Sequence, residues 1–278
     1  MSVENADTPT VAITNQKGGV GKTTATINIA GALNQRGREV LVVDLDPQGN
    51  ATEGVGFPEA YDEQPPTLFD VLTDTDQRQA ITEIVCEHDE MDLIPSNIDM
   101  TVADTALTEV RRRTEQLALA LDTLTDSRDY DIILIDCPPT LNILTDNALL
   151  AAQNVIIPAL AESTSKRAVE LLFDHMTSME RDFELTIHEY GVVANRVEHT
   201  NEATDMMDWF ERAFDDTPVW EVRKRVAFQR AFSAGQSVFE YDPELDMCAV
   251  YDAIADELDH QFDLAETPAT APTPTEQE

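Results

Sequence analysis

Apolar and polar positions along this chain alternate between two periods. Val11–Thr14, Val40–Asp44, Ile132–Asp136, Asn154–Pro158 and Gly191–Ala194 are short and almost wholly apolar, the pattern of strands covered on both faces. Asp92–Pro95 is a briefer run of the same kind. Between them, three- and four-residue spacing predicts helices over Thr23–Gln35, Met100–Thr125, Ser165–Arg181, Glu202–Phe214 and Ala249–Phe262. Residues 51–66 hold Gly, Pro and Asp and read as a long surface excursion. Such alternation predicts an α/β fold, a doubly wound, mostly parallel sheet with helices on both faces. No Pro/Gly/Ser linker interrupts it, so residues 1–264 are expected to form one domain. Residues 265–278 read as a flexible, acidic Thr/Pro tail.

The first strand runs into Gln16-Lys17-Gly18-Gly19-Val20-Gly21-Lys22-Thr23-Thr24, and a helix follows at once. A glycine-rich turn between strand and helix exposes backbone N–H groups and a helix N-terminus, which together cradle a polyphosphate. In that setting Lys22 reaches the β/γ-phosphates and the Thr23 hydroxyl binds Mg²⁺, as in P-loop NTPase folds. Two details depart from the usual loop: Gln16 stands where glycine is standard, and a second lysine, Lys17, opens the turn.

This loop resembles the deviant Walker A motif of the ParA/Soj/MinD ATPases. The resemblance implies that Lys17 reaches across a nucleotide-sandwich homodimer to the partner's ATP. The stretch Asp44-Leu45-Asp46-Pro47-Gln48-Gly49 ends a buried strand with two carboxylates and is similar to the family's second ATPase motif. By that match Asp46 orients the attacking water and Asp44 supports the Mg²⁺ shell. Ile132–Asp136 is a hydrophobic strand ending in Asp, the Walker B arrangement, so Asp136 is expected to hold Mg²⁺ through water and to accept from Thr23. Pro138-Pro139-Thr140 would begin a γ-phosphate switch. Asn195 and Arg196 follow a strand directly, and the resemblance places the Asn195 amide on the adenine edge.

Composition narrows the class. The formal charge of −36 comes from 54 acidic against 18 basic residues, of which four are Lys. Such an excess gives self-repulsion at low salt and weak general affinity for nucleic acid. An acidic, lysine-poor surface looks like those of proteins from halophiles, where molar salt screens the repulsion within a few ångströms. The 42% hydrophobic content argues against an acidic disordered chain. Cys86, Cys137 and Cys248 lie far apart, without metal or disulfide spacing. No leader and no run of 18 apolar residues is apparent, so a cytoplasmic protein without a stable membrane anchor is expected; the resemblance implies that it is nucleoid-associated.

Arg223, Lys224, Arg225 and Arg230 fall close together in this cation-poor chain. Residues 222–243 resemble the C-terminal segment of ParA/Soj proteins, which implies non-specific DNA binding by these four, through phosphate neutralisation. Structural ion pairing is the competing reading for them. Lys166-Arg167 is a further candidate, and Arg111-Arg112-Arg113 reads equally as a solvated helix face. The resemblance as a whole implies a slow, dimerising ATPase for chromosome or plasmid partitioning, stimulated by a ParB-like partner. The alternative is a MinD-like positioning ATPase acting on a membrane or another assembly, which should end in a basic amphipathic helix; this chain ends in acids.

Overall fold

The computed structural model describes residues 8–215 and 217–264; the tail expected at 265–278 lies outside the described residues. Seven strands form one sheet: β1 (Thr10–Ile13), β2 (Val40–Asp44), β3 (Asp92–Ile94), β4 (Ile132–Asp136), β5 (Asn154–Leu160), β6 (His188–Val197) and β7 (Val219–Arg223). Their order is β3-β2-β4-β1-β5-β6-β7, and every pairing is parallel. The expected doubly wound parallel sheet is therefore present. Among the described residues eleven α-helices lie between the strands or follow the last of them: α1 (Lys22–Gln35), α2 (Asn50–Gly54), α3 (Leu68–Thr73), α4 (Ala103–Ala106), α5 (Gln116–Thr125), α6 (Ile143–Ala152), α7 (Ser165–Phe183), α8 (Asn201–Ala213), α9 (Val226–Ser233), α10 (Val238–Tyr241) and α11 (Cys248–Gln261).

Alternation along the strands divides the core into two layers. Ala12, Leu41, Val43, Ile133 and Ile135 pack on one face of the sheet, with residues of α3, α5, α6, α7 and α8. Val11, Ile13, Val40, Val42, Ile132 and Leu134 pack on the other, against α1 and α11. With both faces buried, the strands carry no polar alternation, which is why they read as continuous apolar runs.

Helix α1 lies deep in the second layer and is buried on nearly every side. Gly31 lets it approach α10: a Cβ there would sit 2.2 Å from Ser237 Oγ. Asn28 Oδ1 accepts from the Val238 N–H at 2.9 Å, and Glu90 accepts from both the amide and the hydroxyl of Ser237. The chain beyond β7 is thereby fastened to the helix that follows the phosphate loop.

Two expectations need correction. Met100–Thr125 is not one helix: a 3₁₀ turn over Ile98–Val102, α4, a second 3₁₀ turn at Leu107–Glu109 and a bend precede α5. The bend holds Arg112 at φ 53°, and Gln116 Nε2 donates to the carbonyls of Arg111 and Arg112. Nor is 51–66 wholly a surface excursion, since it begins inside α2 and buries Ala51, Thr52, Gly54 and Val55.

Candidate functional site

The carboxyl ends of β1, β2, β4, β5 and β6 open on one side of the sheet, where crossover helices leave a crevice. The glycine turn lies there. Gly19 and Gly21 have φ 72° and 93°, conformations that L side chains rarely adopt. Gly21 is also the N-cap of α1 and provides no side-chain cap, so the first-turn N–H groups of the helix are left for an anion. A Cβ at Gly21 would meet Asn195 Nδ2 at 1.8 Å, because Asn195 donates to the Val20 carbonyl at 2.9 Å. Asn195 thus braces the phosphate loop from the end of β6. Asn15 does the same from below, donating to Pro158 O at 2.7 Å and accepting from the Lys17 N–H at 3.0 Å.

The two lysines of the loop have different surroundings. Lys22 is 6% exposed, and its Nζ lies 3.5 Å from the Lys17 carbonyl, within the loop's own curl. Lys17 instead turns outward to the β5–α7 loop, where Nζ meets Glu162 Oε2 at 3.2 Å and Thr164 Oγ1 at 2.7 Å. Local sequence gave no signal for these two partners.

Three carboxylates line the crevice floor. Parallel register sets Asp44 beside Asp136. Thr23 Oγ1 donates to Asp136 Oδ2 at 2.6 Å. Burial, and then the nearby Asp44 charge, push the Asp136 carboxyl well above the usual carboxylate range. Burial likewise pushes Asp44 up to about 7, although Thr52 donates to Asp44 Oδ2 through both N–H and hydroxyl at 2.7 Å. Thr52 is a site-supporting residue that the sequence reading missed, having placed it on the surface. Burial also raises Asp46, opposed by the Gln48 N–H and by the positive charge of Lys22. Each carboxylate is costly to ionise where it stands, a cost that a cation in the crevice would offset.

These groups fit a hard divalent ion. The donors are all oxygen, and a hydroxyl and a carboxylate already converge in Thr23 and Asp136. Among the described residues no group of three or more His, Cys, Asp or Glu could hold a metal ion. A cation here would therefore draw most of its ligands from phosphate and water, as Mg²⁺ commonly does. Asp44, with its Thr52 and Asp46 hydrogen bonds, stands behind that pair.

Beyond the loop, Thr24, Asn195, Arg196, Lys224 and Phe228 line a groove of about 540 Å³, in the range of small-molecule sites. Arg196 has φ 54° and an exposed side chain. The cluster expected to bind DNA is largely paired. Arg223 meets Glu221 at 2.9 Å, Lys224 meets Glu198 at 3.8 Å, and Arg225 forms two bonds with Asp246. Arg230 is exposed and has no ion pair among the described residues. Lys166 lies over the Trp209 ring at 5.5 Å. No helix among the described residues is long and apolar enough to cross a membrane.

Comparison with known proteins bears on the family and the fold. A family model described as an AAA domain matches residues 8–188. The sporulation initiation inhibitor protein Soj of Bacillus subtilis is 35% identical over 251 residues, covering 89% of this chain and 97% of that one. The chromosome partitioning protein ParA of Caulobacter vibrioides is 32% identical, covering 84% and 86% respectively. Among solved structures, cobyrinic acid a,c-diamide synthase from Mycobacterium smegmatis, with bound ATP analogue and magnesium, superimposes with a TM-score of 0.73. It is 29% identical, with 93% of this chain and 98% of that one covered. The chain belongs to this AAA-domain family of P-loop ATPases, with Soj- and ParA-type proteins as its relatives.

Proposed function

We propose that this chain is a Mg²⁺-dependent ATPase that dimerises on ATP and partitions chromosomal or plasmid DNA. The observation that carries the ATPase reading is the meeting of Thr23 and Asp136 beneath an uncapped helix N-terminus that also holds Lys22. Kinship to Soj and ParA supports the partitioning role.

The chain's own groups divide the work. Backbone N–H groups of Gly19 to Thr24 cradle the phosphates, and Lys22 neutralises their charge. Thr23 and Asp136, supported by Asp44, would hold Mg²⁺, which would supply charge neutralisation during phosphoryl transfer. Asp46 orients the attacking water; its raised affinity for a proton suits it to accept a hydrogen bond from that water. Asn195 and Arg196 border the groove for the nucleoside. Lys17 acts on the partner's nucleotide, so turnover waits on dimerisation and is slow until a ParB-like protein stimulates it.

DNA binding through Arg223, Lys224, Arg225 and Arg230 belongs to the ATP-state dimer in this reading, and the carboxylate partners of the first three weaken it. The acidic composition supports a halophilic, cytoplasmic setting, and association with the nucleoid rests on kinship to Soj and ParA. The test is DNA co-sedimentation at molar KCl with ATP, ADP or no nucleotide, using Asp46→Ala to hold the ATP state. Retention with ATP alone, lost in Arg223→Ala/Arg225→Ala, is the expected result. Dimerisation without DNA retention at any salt that preserves the fold would leave an ATPase switch whose anchor is something other than DNA.

A further inference from the structure

Asp46 lies in the turn between β2 and α2, and two hydrogen bonds shape that turn. The Gly49 N–H donates to the Asp46 carbonyl at 2.9 Å, and the Gln48 N–H donates to Asp46 Oδ1 at 3.0 Å. The second bond engages one carboxylate oxygen and so sets which way the other faces. The Gln48 N–H belongs to the same planar peptide group as the Pro47 carbonyl. That carbonyl accepts from Tyr61 Oη at 2.8 Å. One rigid plane is thus held at one edge by a phenol and presents its other edge to the carboxylate.

Tyr61 comes from the 3₁₀ turn Pro58–Asp62, just beyond α2. The Phe57 N–H donates to the Thr52 carbonyl at 3.0 Å, and Ala60 is buried, so this turn is fastened to α2. The ring also covers Gly49, which has φ 66°: a Cβ there would sit 2.5 Å from Tyr61 Cδ2. Burial raises the pKa of the phenol, and the charges of Asp62, Asp44 and Asp46 raise it further, so Oη keeps the proton it donates.

We infer that Tyr61 is a positioning residue for ATP hydrolysis: it holds the Pro47–Gln48 peptide plane, and through the Gln48 N–H it aims Asp46. The inference rests on the reading that Asp46 orients the attacking water. Proline fixes φ at position 47, so rotation about its ψ is the main freedom left to that peptide, and the Tyr61 bond closes it. Without Oη the Pro47 carbonyl can turn to solvent and carry the Gln48 N–H away from Asp46. Tyr61 therefore acts on the hydrolytic step and leaves the phosphate cradle as it is.

Tyr61→Phe keeps the ring over Gly49 and removes only the hydroxyl, at a half-buried position that tolerates the change. The experiment measures, in the full chain, ATP hydrolysis, Mg-ADP binding and solvent exchange of the Gln48 amide. Expected is a kcat lower by about three- to tenfold, the rate equivalent of one net hydrogen bond, with KM unchanged. Mg-ADP affinity should match the parent, and the Gln48 amide should exchange faster. A tyrosine that only supports the fold would weaken Mg-ADP binding together with the rate, and that pattern overturns the inference. So does an unchanged kcat beside an active parent. A slower rate with Gln48 exchange unmoved overturns it too, since the effect then does not pass through that peptide. No hydrolysis by the parent itself is a different failure: it removes the ATPase reading, and the role of Tyr61 falls with it.

Discussion

Thr23 Oγ1 donates to Asp136 Oδ2 at 2.6 Å, joining the first turn of α1 to the end of β4 across 113 positions of sequence. The bond aligns a hydroxyl and a carboxylate with the place where a divalent ion would meet phosphate. Asp136→Asn keeps the shape and loses the charge. Hydrolysis of ATP is expected to fall at least about a hundredfold, the scale of losing a preorganised electrostatic group. Thermal stability should hold or rise, because a buried group that resists ionisation has been replaced by a neutral one. Phosphate release and a melting curve check both; a variant within tenfold of the parent rate would remove Asp136 from the site.

Lys17 rests on Glu162 and Thr164, away from the Lys22 side of its own loop. If it serves the partner's nucleotide, Lys17→Ala and Asp46→Ala should each be inactive alone. Mixed together they should regain activity, since one site in the mixed dimer combines an intact Asp46 with the partner's intact Lys17. Phosphate release from the mixture, against each variant alone, makes the test. No recovery at any ratio, with mixed dimers demonstrated, would place Lys17 on its own subunit's ATP.

Gly31 stands where α1 and α10 touch. A Cβ would lie 2.2 Å from Ser237 Oγ and 2.4 Å from Ser237 Cβ, and Ser237 is itself fixed by Glu90. Gly31→Ala is therefore expected to destabilise by about 1–3 kcal/mol, as overpacking does. Denaturant unfolding measures it. The affinity of the folded fraction for nucleotide should be unchanged, since Gly31 lies in the third turn of α1, away from the loop.

Asp259 ties α11 to the end of α1. Burial acts to raise its pKa, but hydrogen bonds from Arg38 and Arg36 outweigh that and hold it below the ordinary carboxylate value of 3.8. A depressed carboxylate stabilises the fold above its unfolded pKa, and the contribution is lost as pH falls through the folded value. Asp259→Asn should cost about 1.5–3 kcal/mol at pH 7, the usual range for hydrogen bonds to charged groups. The gap between variant and parent should close below pH 3.8, which urea unfolding at both pH values would reveal.

How far the sequence was legible depended on whether a signal was local. Short apolar runs marked β1, β2, β4, β5 and β6, because strands buried on both faces need no polar alternation. Edge strand β7 was passed over: Val219, Trp220 and Glu221 are only partly buried, so its pattern is mixed. The helix expected over Met100–Thr125 failed for another reason. The polar run Arg111-Arg112-Arg113-Thr114-Glu115-Gln116 reads as a solvated helix face between two apolar stretches, and no Gly or Pro marks the break. The bend is made by distant groups instead, with Asn147 Nδ2 donating to the Arg113 carbonyl at 2.8 Å and Gln116 turning back on Arg111 and Arg112.

By itself the sequence determined the alternating architecture, the glycine turn and the carboxylates that end β2 and β4. All of these follow from local periodicity or from residues adjacent in the chain. Only the tertiary structure decided that Thr52 pins Asp44, that Glu162 and Thr164 hold Lys17, and that Glu221, Glu198 and Asp246 face the cations of the 223–225 cluster. Most of these partners lie far apart in the chain, and strand order and crossover packing bring them together. With 54 acids available to 18 basic residues, composition alone cannot say which carboxylate each cation meets.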